Sequence, residues 1–219
     1  MGALTKFWES SVGKKIVMGT TGVILVGFVI GHMAGNLQFF MGADRYNAYS
    51  KLLKHDIVEI TWMVRIALFV SVILHVMAAY QLTMRNRAAR PDDYAMRASQ
   101  SSTYASMTMR WGGVYLVAFI IYHLGHFTTG TFHPAFSETG TWGNVVIGFK
   151  SIPVAGFYLG AMAFLAMHLY HGVWACMRTL GLARPSENPL HRRAALVIAI
   201  VVATGFSLLP LSVALGIVR

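Results

Sequence analysis

The sequence predicts an all-α, polytopic membrane protein in which five helices cross the bilayer as one bundle. Two observations carry this. Only 12% of the 219 residues are charged while 56% are apolar, and the apolar residues gather in five long stretches. Soluble domains carry about 25% charged residues, and a hydrocarbon core of about 30 Å takes about 20 helical residues to cross. The mean hydropathy of +0.56 agrees. A soluble enzyme, a disordered chain and a secreted disulfide scaffold all fit poorly. The single cysteine, Cys176, permits no internal bridge and no cysteine-held cluster within the chain.

The first span, 16–41, follows Lys14 and Lys15 and has the superficial order of a secretory signal. It is too long for one, and no small-residue cleavage pattern precedes Asn36 and Gln38, so it reads as a retained helix. The second covers 57–84 and runs into Arg85. The third, 111–130, begins after Arg110, and the fourth, 152–177, runs into Arg178. The fifth, 194–215, follows Arg192 and Arg193. Its Pro210 and the glycines of the other spans are tolerable, because lipid forces a spanning backbone to satisfy itself internally. No solenoid-type repeat is evident, and residues 1–219 read as a single membrane domain.

A net charge of +10 would suggest nucleic acid for a soluble chain. In a membrane protein it sets orientation instead. Lys6, Lys14, Lys15, Arg85, Arg87, Arg90, Arg97, Arg110, Arg178, Arg184, Arg192 and Arg193 fall on one side. Arg45, Lys51, Lys54, Lys150 and Arg219 fall on the other, with Arg65 inside the second span. The richer side is the cytoplasmic one, so the N-terminus is expected inside and the C-terminus outside. The turn formers Arg90-Pro91-Asp92-Asp93 and Arg184-Pro185-Ser186 lie in the inner connections. That basic face suits anionic lipid headgroups or a soluble protein partner, and no nucleic acid partner is expected.

Nine histidines outnumber eight acidic residues. An ionisable residue inside a span is a functional lead, and four spans carry histidine: His32, His75, His123 with His126, and His168 with His171. Depth sorts them. His75 lies ten residues before Arg85 and His168 ten before Arg178, each ~15 Å from the inner boundary at the helical rise. His32 and His123 come out ~25 Å and ~20 Å from it by the same count. Two pairs at two depths result. Facing imidazoles suit the axial positions of an iron porphyrin, and two per iron leave no open site for oxygen, which fits electron transfer.

The surroundings are compatible. Gly172, Ala78, Ala79 and Gly35 stand one turn from the histidines and leave room for a flat ring, and Arg65 is a candidate partner for propionates. Other readings stand beside these. A lone histidine in a span also serves as an interhelical hydrogen bond. His126 and His171, one turn beyond His123 and His168, are alternative ligands or neighbours of the ligands. Gly27, Gly31 and Gly35 form a small-xxx-small series expected to pack helices. His55, His133 and His191 are expected in solvated connections, and Trp62, Trp111, Trp142 and Tyr158 as interfacial anchors.

In these residues the chain resembles the cytochrome b membrane anchors of succinate:quinone oxidoreductases, of the five-helix, two-haem kind. The motifs are Gly31-His32-Met33-Ala34-Gly35-Asn36, Leu74-His75, Arg110 thirteen residues before His123, and Phe157-Tyr158 ahead of His168-Leu169-Tyr170-His171-Gly172-Val173-Trp174. Ser11-Val12-Gly13-Lys14-Lys15 and the stretch from Gly42 to Tyr49 add to it. The resemblance covers nearly the whole chain. It implies that His75 and His168 hold an inner haem b and that His32 and His123 hold an outer one, in preference to His126 and His171.

It further implies a flavoprotein partner that interconverts succinate and fumarate, an iron–sulfur partner that hands over electrons, and a quinone acceptor, menaquinone, in a bacterial cytoplasmic membrane. The bond chemistry then belongs to the partners, and no catalytic residue is assigned in this chain. Some fumarate-reducing relatives carry a proton-passing glutamate two residues before the fourth-helix ligand, where this chain has Ala166. Within the assigned spans the only acid is Glu59. By position, Glu59, Arg65 and His55 are candidates for an outer quinone pocket, since a quinone needs hydrogen-bond donors and a proton source. Two other readings fit the same features: the cytochrome b anchor of a hydrogenase or formate dehydrogenase, and a haem-free transporter or structural anchor.

Overall fold

The computed structural model describes residues 2–89, 104–182 and 189–219, and every regular element among them is helical. In chain order these are α1 (Ala3–Glu9), α2 (Ser11–Leu37), α3 (Ala43–Lys51), α4 (Val58–Ala88), α5 (Tyr104–Phe127), α6 (Thr141–Phe149), α7 (Ile152–Thr179) and α8 (Pro189–Ala214). A 3₁₀ turn occupies Gln38–Met41 and a π turn Leu52–Asp56. Arg90, Arg97 and Arg184, with the turn motifs at 90–93 and 184–186, lie outside the described residues.

Four segments are long and apolar enough to cross a membrane: Ser11–Met41, Val58–Ala88, Ile152–Thr179 and Leu190–Ala214. Their ends lie within five residues of the spans expected at 16–41, 57–84, 152–177 and 194–215. The 24 residues of α5 are also long enough at about 1.5 Å each. However, α5 carries Arg110, His123 and His126 and is not among those four segments. The chain carries much of its bulk apolar surface outward. Ile66, Phe69, Val70 and Ile73 of α4 are all exposed, a surface that lipid accepts and water does not.

Helix α2 packs on α4, α7 and α8, and α7 packs on α5 and α8. Helix α4 thus joins the bundle through α2, and α5 joins it through α7. Neither α4 with α7 nor α2 with α5 is a closely packed pair, so these diagonals are bridged by side chains. At the basic end Ser10 starts α2, its hydroxyl oxygen accepting the Gly13 N–H at 2.8 Å and so satisfying a free first-turn donor. Lys14 is buried there, donating to the Trp8 carbonyl and lying over the Trp8 ring. Arg85 donates to the Glu9 carbonyl at 2.5 Å, and together these contacts fold α1 against the bundle.

The opposite end is built where connections were expected. Here α3 and α6 form a cap. Trp142 N–H donates to Asn47 Oδ1 at 2.9 Å, Trp142 Nε1 to the Phe39 carbonyl at 3.2 Å, and Ser50 and Thr141 share a hydroxyl bond of 2.8 Å. Lys54 Nζ donates to the Glu138 carbonyl at 3.0 Å. Gly42 enters α3 at a φ of 96°, a conformation that favours glycine. The buried core beneath the cap includes Phe39, Tyr46, Val145, Val146, Phe149, Tyr158, Leu209 and Val213.

This cap corrects several expectations. Trp62 and Trp111 are exposed as interfacial anchors would be, but Trp142 stacks on Phe39 with ring centres 5.5 Å apart, and Tyr158 is only 6% exposed. His133 is buried rather than solvated, because α6 closes over it. His191 lies in the first turn of α8, with its Nδ1 buried and without a partner. The small-residue series packs only at Gly35, against the Tyr49 side chain. A Cβ at Gly27 or Gly31 would meet nothing within 4 Å.

Candidate functional site

Helix α4 brings His75 beside His168 of α7, with ring centres 6.1 Å apart and planes at 51°. His75 Nδ1 lies 3.1 Å from the Met18 carbonyl oxygen and 3.2 Å from Thr21 Oγ1. A carbonyl only accepts, so the ring proton sits on Nδ1 and Nε2 keeps its lone pair. The Thr21 hydroxyl gives its own proton to the Val17 carbonyl at 2.7 Å, and therefore accepts from His75. Gly22 faces the ring, where a Cβ would stand in ordinary contact 3.5 Å from His75 Cε1. His168 Nδ1 is buried with no protein partner.

Nearer the cap, His32 of α2 meets His123 of α5, with ring centres 5.9 Å apart and planes at 79°. Phe28 stacks on His32 and Phe119 on His123. Asn36 Nδ2 lies 3.3 Å from the His32 ring nitrogens and donates to the His32 carbonyl at 2.8 Å, and Tyr46 O–H donates to Asn36 Oδ1 at 3.0 Å. The pair is thereby linked to α3. Burial, with the Tyr49 phenol beside it, pushes the Tyr46 phenol up to about 12.

The two alternative ligands part ways. His126 is buried against Phe127, its Nδ1 3.0 Å from the Tyr158 hydroxyl and its ring stacked 5.1 Å from His133. It faces the cap, where a Cβ at Gly148 would stand 2.8 Å from it. His171 is half-buried, one turn beyond His168. His133 Nε2–H donates to the Asn144 carbonyl at 2.9 Å, and its Nδ1 accepts the Ala135 N–H at 3.1 Å. Glu59 and His55 are exposed, and Arg65 is exposed with its guanidinium over Trp62. The structure does not gather these three around either histidine pair.

The donor set suits one kind of metal. Among the described residues no three His, Cys, Asp or Glu side chains converge on a common point, so a bare ion would lack the three or four protein ligands it needs. A metal that brings its own planar ring of nitrogens needs only two. A metal–nitrogen bond of about 2 Å on each side, plus about 1 Å from nitrogen to ring centre, would place one metal atom between imidazoles whose centres are about 6 Å apart. Both pairs have that spacing. The unpaired Nδ1 of His168 and the lone pair of His75 Nε2 also fit a group supplied from outside the chain.

The family model for the succinate dehydrogenase/fumarate reductase transmembrane subunit matches residues 83–208. The chain belongs to this family. Neither a curated protein nor a solved structure matches it. As a succinate dehydrogenase/fumarate reductase transmembrane subunit it is an integral membrane protein and part of an oxidoreductase complex. The matched stretch runs from the end of α4 into α8 and contains His123, His126, His168 and His171. His32 and His75 lie before it. The sequence missed Tyr158, His133 and Asn144 as parts of the site, because their roles arise from α6 folding back over α5, which no local pattern announces.

Proposed function

We propose that the chain is the dihaem cytochrome b anchor of a succinate:quinone oxidoreductase. His75 and His168 are the axial ligands of one haem b, and His32 and His123 those of a second. Bound there, the haems supply one-electron transfer between an iron–sulfur partner and a membrane quinone, menaquinone in this reading. Helix α5 is the fifth span, so residues 1–219 form one membrane domain of a bacterial cytoplasmic membrane, with the N-terminus inside. The basic end then faces the flavoprotein and iron–sulfur subunits, and the cap faces outward. By their position at the outer end of α4 and just before it, the exposed His55, Glu59 and Arg65 are proposed for a quinone at the outer surface, away from both histidine pairs. Arg65 would meet a propionate only by leaving Trp62.

The observation that carries this reading is the pairing itself. Two pairs of imidazoles, each about 6 Å between centres, stand on helices that, among the described residues, are not closely packed on each other. An interhelical hydrogen bond would explain neither spacing, because no bond joins the partners within either pair. The deciding measurement is haem content of the purified complex, by haemochrome assay against protein mass. Two haems b per chain are expected, falling to one in His75→Ala and one in His123→Ala. A wild-type complex with one haem or none would sink the reading.

A further inference from the structure

The Tyr158 hydroxyl stands between two histidines of α5, 3.4 Å from His123 Nδ1 and 3.0 Å from His126 Nδ1. We propose that Tyr158 is a positioning residue for His123, holding its ring through Nδ1 and tying it through His126 to the cap. The inference rests on His123 being a haem ligand, as argued above.

A hydroxyl has one proton to give and lone pairs to accept with, and the two histidines are the side-chain partners of this one, so its own proton is used only if one histidine accepts from it while the other donates to it. With His123 engaged through Nε2, its proton is on Nδ1 and the direction is fixed. His123 Nδ1–H donates to the Tyr158 oxygen, Tyr158 O–H donates to His126 Nδ1, and the His126 proton lies on Nε2. The phenol has little freedom to do otherwise. It is 6% exposed, edge-on to Phe149 at 4.9 Å and to Phe119 at 5.0 Å. Beyond it, His126 stacks on His133, whose Nε2–H is bonded to the Asn144 carbonyl of α6. The orientation of His123 is therefore coupled to the closure of α6.

An acceptor on the far N–H of a ligating histidine fixes its ring and raises its basicity. Loss of that acceptor makes the ring a poorer donor and favours the reduced metal. His75 has a backbone carbonyl in this role, so its pair provides an internal control.

The test is a redox titration and low-temperature electron paramagnetic resonance of the purified complex, with the signal of the His32/His123 haem assigned by its loss in His123→Ala. Tyr158→Phe keeps the ring packing and should retain two haems. It should raise the midpoint of the His32/His123 haem by about 59 mV for each tenfold change in ferric-to-ferrous preference, with about three- to tenfold expected. The ferric signal of that haem should move while the other stays fixed. His126→Gln should give a smaller shift of the same sign. An unmoved potential and signal in Tyr158→Phe, or equal shifts of both haems, overturns the proposal. A wild-type complex lacking two haems overturns this proposal and the dihaem reading together, which separates the two failures.

Discussion

His75 Nδ1 donates to the Met18 carbonyl at 3.1 Å, a bond from one membrane-spanning helix to the backbone of another. Its counterpart nearer the cap, His123, leans on a side chain instead, and His32 leans on Asn36. The difference has consequences. A backbone carbonyl survives any substitution at Met18, whereas phenol and amide partners can be removed. The pair at the basic end is set by how α2 and α4 pack, and the pair at the cap end by what the cap supplies.

Where α2 packs on α4, position 22 faces the His75 ring with room for a methyl group and no more. Gly22→Ala should be tolerated, because its Cβ would stand at 3.5 Å. Gly22→Val adds two methyl groups toward the ring and should turn His75 off the Met18 carbonyl. Losses of about 10–100-fold in metal affinity follow when such outer partners are disturbed, so Gly22→Val should purify with about one haem. Haem counted against protein in the two variants checks this. Retention of two haems in Gly22→Val would mean that α2 does not hold the ring.

How far the sequence could be read is clearest at these residues. Long apolar runs located α2, α4, α7 and α8, because lipid imposes a length and a composition on any helix that crosses it. Counting turns from Arg85 and Arg178 put His75 and His168 at one depth, and their rings do lie side by side. A helix has a fixed rise, so depth is legible. Rotation about the axis and contact across loops are not. Nothing in 42–56 or 131–151 marks two short helices that hydrogen-bond to each other, and Tyr158 at a span end looked like an anchor until α6 covered it. His133 looked solvated for the same reason.

Tyr46 gives the cap a pH dependence. Its hydroxyl donates to Asn36, and its phenol is held at about 12 by burial and by Tyr49, against 10.0 for a free tyrosine. A folded value above the unfolded one means stability that is fully present below pH 10 and lost as pH rises toward 12. The displacement corresponds to up to about 3 kcal/mol. Ultraviolet titration should show a late tyrosine that disappears in Tyr46→Phe, and cleavage of the cap by an alkali-tolerant protease should quicken over the same window. A Tyr46 that titrates near 10 would show that α3 does not bury it.

Trp142 is the other fastening of the cap, and its loss should separate the two ends of the molecule. Its ring stacks on Phe39 at 21°, and its Nε1 donates to the Phe39 carbonyl. Full burial would put Trp→Ala at about 3–5 kcal/mol. The ring is half-buried, so about 2 kcal/mol is expected. Trp142→Phe keeps the stack and gives up the donor, for about 1 kcal/mol. Because Asn144 lies half a turn further along α6 and holds His133, loosening Trp142 should free the 128–140 segment before any spanning helix moves. Limited proteolysis of the complex should therefore cut that segment fastest in Trp142→Ala, more slowly in Trp142→Phe and slowest in wild type. The spectrum of the proposed His32/His123 haem should broaden in that same order while that of the proposed His75/His168 haem stays sharp. Equal broadening of both would mean that the cap steadies the whole bundle and not its own end.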